Sequence, residues 1–113
     1  MSAIDIKGRD NLELVVRQAD TQVVAYLNGD EVYDKYGAGE GAFEERTNLM
    51  PLLQKGYNVL LVLGLRYTEN YKYDVEVLLN GRALKNVDST TPRSPTGNGI
   101  VWDFSVEINR LGA

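Results

Sequence analysis

Two Asn-Gly dipeptides, each between runs that alternate apolar and polar residues, limit the folds open to this 113-residue chain. The first is Asn28-Gly29, between Gln22–Leu27 and Asp30–Tyr36, and the second is Asn80-Gly81. A two-residue type I′ turn needs a positive φ at both central positions, which Asn and Gly tolerate best. Each dipeptide therefore predicts a β-hairpin, and we expect a chain built largely from antiparallel strands.

Further segments show the period of two that β-strands require. They span residues 3–7, 12–18, 43–46, 57–67, 71–79, 82–87 and 100–111. The segment 57–67 is apolar on both faces at its centre, so we expect it to lie buried between two layers. Gly64 inside it indicates a bulge or the close approach of another group. The segment 100–111 places Trp102, Val106 and Ile108 on one face, which we expect to point into the core.

Helix should be scarce, because no long stretch shows the 3.6-residue period of an amphipathic helix. The exception is the segment 48–54, where Thr47 or Asn48 can cap a Leu-Met-Pro run and one helical turn is predicted. The sequence therefore predicts an all-β protein. We expect an antiparallel, jelly-roll-like β-sandwich of about eight strands, forming one domain over residues 1–113.

The composition excludes several classes of function. The chain has no Cys and no His, and its formal net charge is −4. The commonest general base, thiol nucleophiles and most transition-metal sites are therefore missing. The chain is acidic and its basic residues are scattered, so it lacks the positive surface that binding to nucleic acid or to an anionic membrane requires. We expect a protein that is not an enzyme, needs no organic cofactor, and binds neither nucleic acid nor the membrane interior.

The N-terminus and the apolar runs of the chain indicate where in the cell the protein is expected. The first residues lack the basic and apolar regions of a signal peptide. The longest apolar run is far shorter than a membrane span. These features predict a cytoplasmic protein, with export by a route that needs no cleaved signal as the alternative.

Residues 22–63 carry a distinctive order of motifs. A strand ends in the Asn28-Gly29 turn, and an aliphatic return strand and the glycine-rich stretch 37–41 follow. A Leu-x-x-Gly-x-Asn turn, residues 53–58, then leads into the apolar run 59–63. This order resembles the galactose-binding-like jelly roll of many carbohydrate-binding modules and of sugar-binding domains in some glycosidases. The resemblance implies a jelly-roll fold and a sugar-binding role, although one fold serves many functions.

The tyrosines supply the candidate binding residues. Sugar sites combine an aromatic ring, which covers the apolar face of a pyranose, with carboxylates and amides that bind its hydroxyl groups. Two groups offer both: Tyr33, Asp34 and Tyr36 in the first, and Arg66, Tyr67, Glu69, Asn70 and Tyr71 in the second. The alternative is that these tyrosines form cross-strand pairs or line the edge of the core, since Tyr has a high β-propensity.

Carboxylates are the candidate metal ligands. Asp30, Glu31 and Asp34 lie close in sequence, and calcium takes hard oxygen ligands of this kind. The alternative is that they form a solvated acidic face.

Three hypotheses about function follow. The first is a carbohydrate-binding module or small lectin without catalytic activity. The second is a structural subunit that forms a homo-oligomer or binds a protein partner through a surface of the sandwich, and the third is a hydrolase with two carboxylates. The tyrosines distinguish the first two. Exposed rings beside carboxylates and amides favour sugar, whereas rings buried at a symmetric contact favour assembly.

Overall fold

The computed structural model describes residues 3–66, 72–92 and 99–112, which form nine strands and one short 3-10 helix. The strands are β1 Ile4–Ile6, β2 Leu12–Asp20, β3 Gln22–Leu27, β4 Asp30–Tyr36, β5 Glu45–Asn48, β6 Gly56–Leu65, β7 Lys72–Leu79, β8 Arg82–Asp88 and β9 Ile100–Arg110. The 3-10 helix is Met50–Leu52. In the described parts of the chain, no helix is long and apolar enough to cross a membrane.

The strands form two sheets packed as a sandwich, so the predicted all-β sandwich is confirmed. Sheet A has the order β1-β9-β6-β3-β4, and sheet B has the order β5-β2-β7-β8. Every neighbouring pair is antiparallel except β1 and β9, which run parallel at one edge of sheet A. The chain alternates between the sheets except at the hairpins β3–β4 and β7–β8.

Both Asn-Gly turns have the predicted geometry. Asn28 and Gly29 have φ values of 52° and 86°, and Asn80 and Gly81 have 51° and 80°. All four values are positive, as a type I′ turn requires. The predicted bounds of β3 and β4 are also confirmed, whereas the strand expected at 43–46 begins two residues later, at Glu45.

The core lies between the inner faces of the two sheets. Trp102, Val106 and Ile108 are buried there, as the alternation of segment 100–111 predicts. Trp102 lies over Gly64, where an added β-carbon would come within 2.2 Å of the indole Nε1. Gly64 thus allows the predicted close approach, and the register of β6 with β9 also shifts just after it.

The expectation that β6 is buried on both faces is wrong for its outer face. Leu60 and Val62 point inward and have no exposed surface, but Leu61 is 36% exposed and Val59 and Leu63 are partly exposed. Sheet B covers only the inner face of sheet A. The apolar residues on the other face of β6 are therefore left at the surface.

Candidate functional site on the outer face of sheet A

Exposed and half-buried aromatic and aliphatic side chains cross the outer face of sheet A from the edge strand β4 to the central strand β6. We call this set the diagonal stripe, and it consists of Tyr36, Leu63, Tyr26, Leu61, Val59 and Tyr57. Three strands, β4, β3 and β6, contribute to it. On β6 the burial pattern alternates along most of its length, so the odd-numbered residues of this strand face outward.

The register of the strands gives the stripe its direction. Tyr36 pairs with Gln22 of β3, and Tyr26 lies four residues further along that strand. Tyr26 in turn pairs with Leu61 of β6, and Tyr57 lies four residues beyond Leu61. With about 3.3 Å per residue and about 4.8 Å between strands, the three tyrosines lie along a diagonal of roughly 28 Å.

The stripe is open to solvent at both ends and at its centre. Tyr36 is 58% exposed, Tyr57 is 53% exposed and Leu61 is 36% exposed. Exposed large apolar side chains scattered singly are common on proteins, but a continuous row of them marks a binding surface. From Leu63 to Tyr57 the row is continuous along β6, with Tyr26 beside Leu61 on β3. Tyr36 lies on the same diagonal, beside Gln22 of β3.

Carboxylates and amides stand beside the two exposed rings. At one end, the Gln22 side-chain amide donates a 2.7 Å hydrogen bond to Asp34, which lies two residues before Tyr36. At the other end, the Tyr57 hydroxyl donates a 2.6 Å bond to Glu107 of β9. This bond to a charged acceptor raises the pKa of Tyr57. Each exposed ring therefore has a carboxyl or amide group next to it.

The Asn58 side chain holds the end of the stripe that carries Tyr57. It is completely buried, and its Oδ1 accepts hydrogen bonds from Asn28 Nδ2 and from the Gln54 backbone N–H, both at 2.9 Å. Its Nδ2 donates to the backbone carbonyls of Gln54 and Gly56, also at 2.9 Å. This amide therefore ties the turn before β6 to the β3–β4 hairpin. It is the Asn of the Leu-x-x-Gly-x-Asn motif.

The first predicted group of binding residues is divided between two faces of β4. Asp34 and Tyr36 lie on the outer face, beside the stripe. Tyr33 pairs with the core-facing Ala25 and packs against the core, where its hydroxyl donates a 2.7 Å hydrogen bond to Glu45 of β5. Burial and this bond raise the pKa of Tyr33. Tyr33 therefore closes the edge of the sandwich and cannot join Tyr36 in one site.

The second predicted group can be placed only in part. Arg66 directly follows β6, and its backbone N–H donates a 2.8 Å bond to the carbonyl of Gly99. Tyr67, Glu69, Asn70 and Tyr71 lie outside the described residues. The nearby Tyr73 is 1% exposed and packs edge-on against Trp102, with the ring centroids 5.4 Å apart, so this tyrosine belongs to the core.

The predicted metal ligands are not brought together. Asp30 begins β4 and Asp34 is four residues along it, which separates their backbones by roughly 13 Å. Glu31 pairs with Tyr26 on the outer face. In the parts of the chain that the structure describes, no three Asp or Glu residues are grouped closely enough to hold a metal ion. The predicted calcium site thus gains no support from the geometry.

Sequence reasoning missed most of the stripe. Tyr26, Leu61 and Tyr57 are far apart in sequence, and only the pairing of β3 with β6 brings them to one face. The usable signal was the period of two in β6, whose odd-numbered residues are a Tyr and four aliphatic residues. That pattern identifies the stripe once it is known which strands pair with β6.

The outer face of sheet B differs in chemistry. Arg17 pairs with Glu44 at 3.2 Å, with Asp74 at 3.7 Å and with Glu76, and Arg46 pairs with Glu44 at 3.3 Å. These charged side chains stand beside Val15, which has no exposed surface although it faces outward. The charges on this face are thus paired with each other, which leaves it a poor candidate for a ligand.

A shallow cavity of about 280 Å³ lies at the β7–β8 hairpin. Its lining is Leu79, Asn80, Arg82, Ala83 and Leu84. It contains none of the residues that the sequence predicts for ligand or metal binding, and no tyrosine. The outer face of sheet A is therefore the stronger candidate site.

Comparisons of the chain with protein-family models, with curated proteins and with solved structures find no match.

Proposed function

We propose that this protein is a non-catalytic carbohydrate-binding module that takes an extended glycan chain along the diagonal stripe. The observation that carries the proposal is the placement of Tyr36, Tyr26 and Tyr57 on one line of one face. Two of these rings are more than half exposed, and each of those two stands beside a carboxylate.

The chemistry of a pyranose matches this surface. One face of a sugar ring presents C–H groups, which an exposed tyrosine or leucine can cover, while its hydroxyl groups need hydrogen-bond partners at the edge. The stripe supplies the apolar strip, and Asp34, Gln22 and Glu107 supply acceptors and donors beside it. A line of roughly 28 Å suits several linked sugars better than one.

Titration calorimetry with sugars of increasing length tests the proposal. Cellohexaose and the N-acetylglucosamine hexamer are the neutral probes, compared with their dimers. We expect affinity to rise with length and to fall at least about fivefold in Tyr36→Ala and in Tyr57→Ala, because each removes an exposed ring. Tyr33→Phe is the matched control, since Tyr33 lies on the inner face. Equal affinities for all four proteins would contradict the proposal, as would the absence of binding.

A second candidate function uses the same face. Leu61 and Val59 are aliphatic and at least partly exposed, and such residues are typical of the centre of a protein interface rather than of a sugar site. In that case the stripe would cover the stripe of a second copy. Sedimentation of wild type and of Leu61→Arg distinguishes the two, because only assembly through this face predicts a dimer that the substitution dissociates.

A further inference from the structure

Four residues that pair side by side across four strands of sheet A form a row with a carboxylate at each end. The row runs Asp103, Leu63, Val24 and Asp34, on β9, β6, β3 and β4 respectively. Three strand spacings of about 4.8 Å place the two Asp backbones roughly 14 Å apart, with two aliphatic residues between them. The stripe is thus bordered by negative charge on both sides.

The whole outer face of sheet A carries charge of one sign. Among the described strand residues that face outward there, five are acidic and none is Lys or Arg. The five are Asp5, Glu31, Asp34, Asp103 and Glu107. The chain as a whole is nearly balanced, with 16 acidic and 12 basic residues, so the basic residues are concentrated elsewhere.

The partners that these carboxylates do have are neutral. Asp34 accepts a bond from an amide, Glu107 from a phenol, and Asp5 from the Asn109 amide at 3.1 Å. Neutral donors satisfy one oxygen each but leave the charge uncompensated, and a carboxylate has room for further donors. On sheet B, by contrast, Glu44 and Glu76 pair with arginines. Of the two outer faces, as far as the described residues form them, that of sheet A therefore offers unpaired negative charge beside an apolar row.

We propose that the glycan bound along the diagonal stripe carries protonated amino groups, as a β-linked glucosamine oligomer does. This inference rests on the proposed function and adds the charge of the ligand to it. Asp34 and Asp103 supply counter-charges on the two sides of the chain, and Glu107 supplies one at the Tyr57 end. The same field repels glycans that carry carboxylates or sulfates.

The test compares three hexamers of similar length by calorimetry at about pH 5.5, where amines are protonated and most carboxylates are ionised. The probes are the hexamers of glucosamine, of N-acetylglucosamine and of galacturonate. We expect the glucosamine hexamer to bind about fivefold to tenfold more tightly than the neutral one, and the acidic hexamer to bind weakest. Raising the salt from about 20 to about 500 mM should remove most of this preference.

Two double variants test which carboxylates cause the preference for the glucosamine hexamer. In Asp34→Asn with Asp103→Asn we expect the preference for the glucosamine hexamer to disappear while the N-acetylglucosamine hexamer still binds. Glu44→Gln with Asp74→Asn removes two charges from sheet B and should leave the preference unchanged. Circular dichroism spectra and melting temperatures of the variants confirm that both fold.

Three results would overturn the inference. Equal affinity for the glucosamine and N-acetylglucosamine hexamers in wild type would leave the proposed function standing and remove the charge preference. Binding of a hexalysine peptide as tightly as the glucosamine hexamer would show that charge alone is recognised, with no role for sugar. No binding of any hexamer would overturn the proposed function itself.

Discussion

Gly64 of β6 and Trp102 of β9 are direct register partners, and the indole ring lies over the glycine in the place that a side chain would take. An added β-carbon would lie 2.2 Å from both Cε2 and Nε1 of the indole. Trp102 also packs against Tyr73 and stacks on Phe104 with ring centroids 6.0 Å apart. The indole is therefore packed against Gly64, Tyr73 and Phe104 at once.

The Gly64→Ala variant should consequently be destabilised by about 1–3 kcal/mol, because the new methyl group overpacks the core. The matched control is Gly8→Ala, where the added β-carbon would meet its nearest atom only at 4.0 Å. That variant should stay within about 0.5 kcal/mol of wild type. Urea unfolding followed by the fluorescence of Trp102, the single tryptophan, measures both. Equal stabilities of the two variants would refute the described packing.

Replacing the buried amide of Asn58 should be costly. In Asn58→Ala, the Gln54 N–H and the carbonyls of Gln54 and Gly56 lose the hydrogen bonds that the buried Asn58 side chain makes to them. We expect a loss of about 2–4 kcal/mol in the free energy of unfolding. Asn86→Ala on the exposed side of β8 is the control and should change stability little. A loss in Asn58→Ala no greater than in the control would count against the network.

The arginine network of sheet B should make stability depend on pH. Arg46 and Arg17 lower the pKa of Glu44. A group whose pKa is lowered by folding stabilises the protein above its ordinary pKa, and this contribution is lost as the pH falls through the lowered value.

The comparison that isolates this contribution is wild type against Glu44→Gln, from about pH 7 to about pH 2. We expect wild type to have the higher urea midpoint at neutral pH and the difference to shrink on acidification. A difference that is constant over the range, or that grows as the pH falls, would contradict the assignment.

The hairpins could be predicted from sequence because their chemistry is local. Asn28-Gly29 and Asn80-Gly81 decide the turn within two residues, and the alternation on either side decides which residues share a face. The Leu-x-x-Gly-x-Asn turn was likewise visible, although the role of Asn58 was not, since its partner Asn28 is 30 residues away.

The candidate site could not be predicted in the same way, because it depends on pairings between distant strands. Tyr26 and Leu61 become neighbours only through the register of β3 with β6. Tyr33 and Tyr36 are close in sequence, yet their separation of three residues sends them to opposite faces of β4. Which face of β6 is covered depends on where sheet B packs. Because both faces of β6 are apolar in sequence, the pattern alone does not show which of them is exposed.

Binding along the diagonal stripe is tested most directly by a map of amide chemical shifts of the ¹⁵N-labelled protein as the glucosamine or N-acetylglucosamine hexamer is added. We expect the shifts to concentrate on β3, β4 and β6, along the line from Tyr36 through Tyr26 and Leu61 to Tyr57, and β2, β7 and β8 to stay unchanged. Shifts confined to sheet B or to the β7–β8 hairpin, or a spectrum that neither hexamer perturbs, would contradict binding along the stripe.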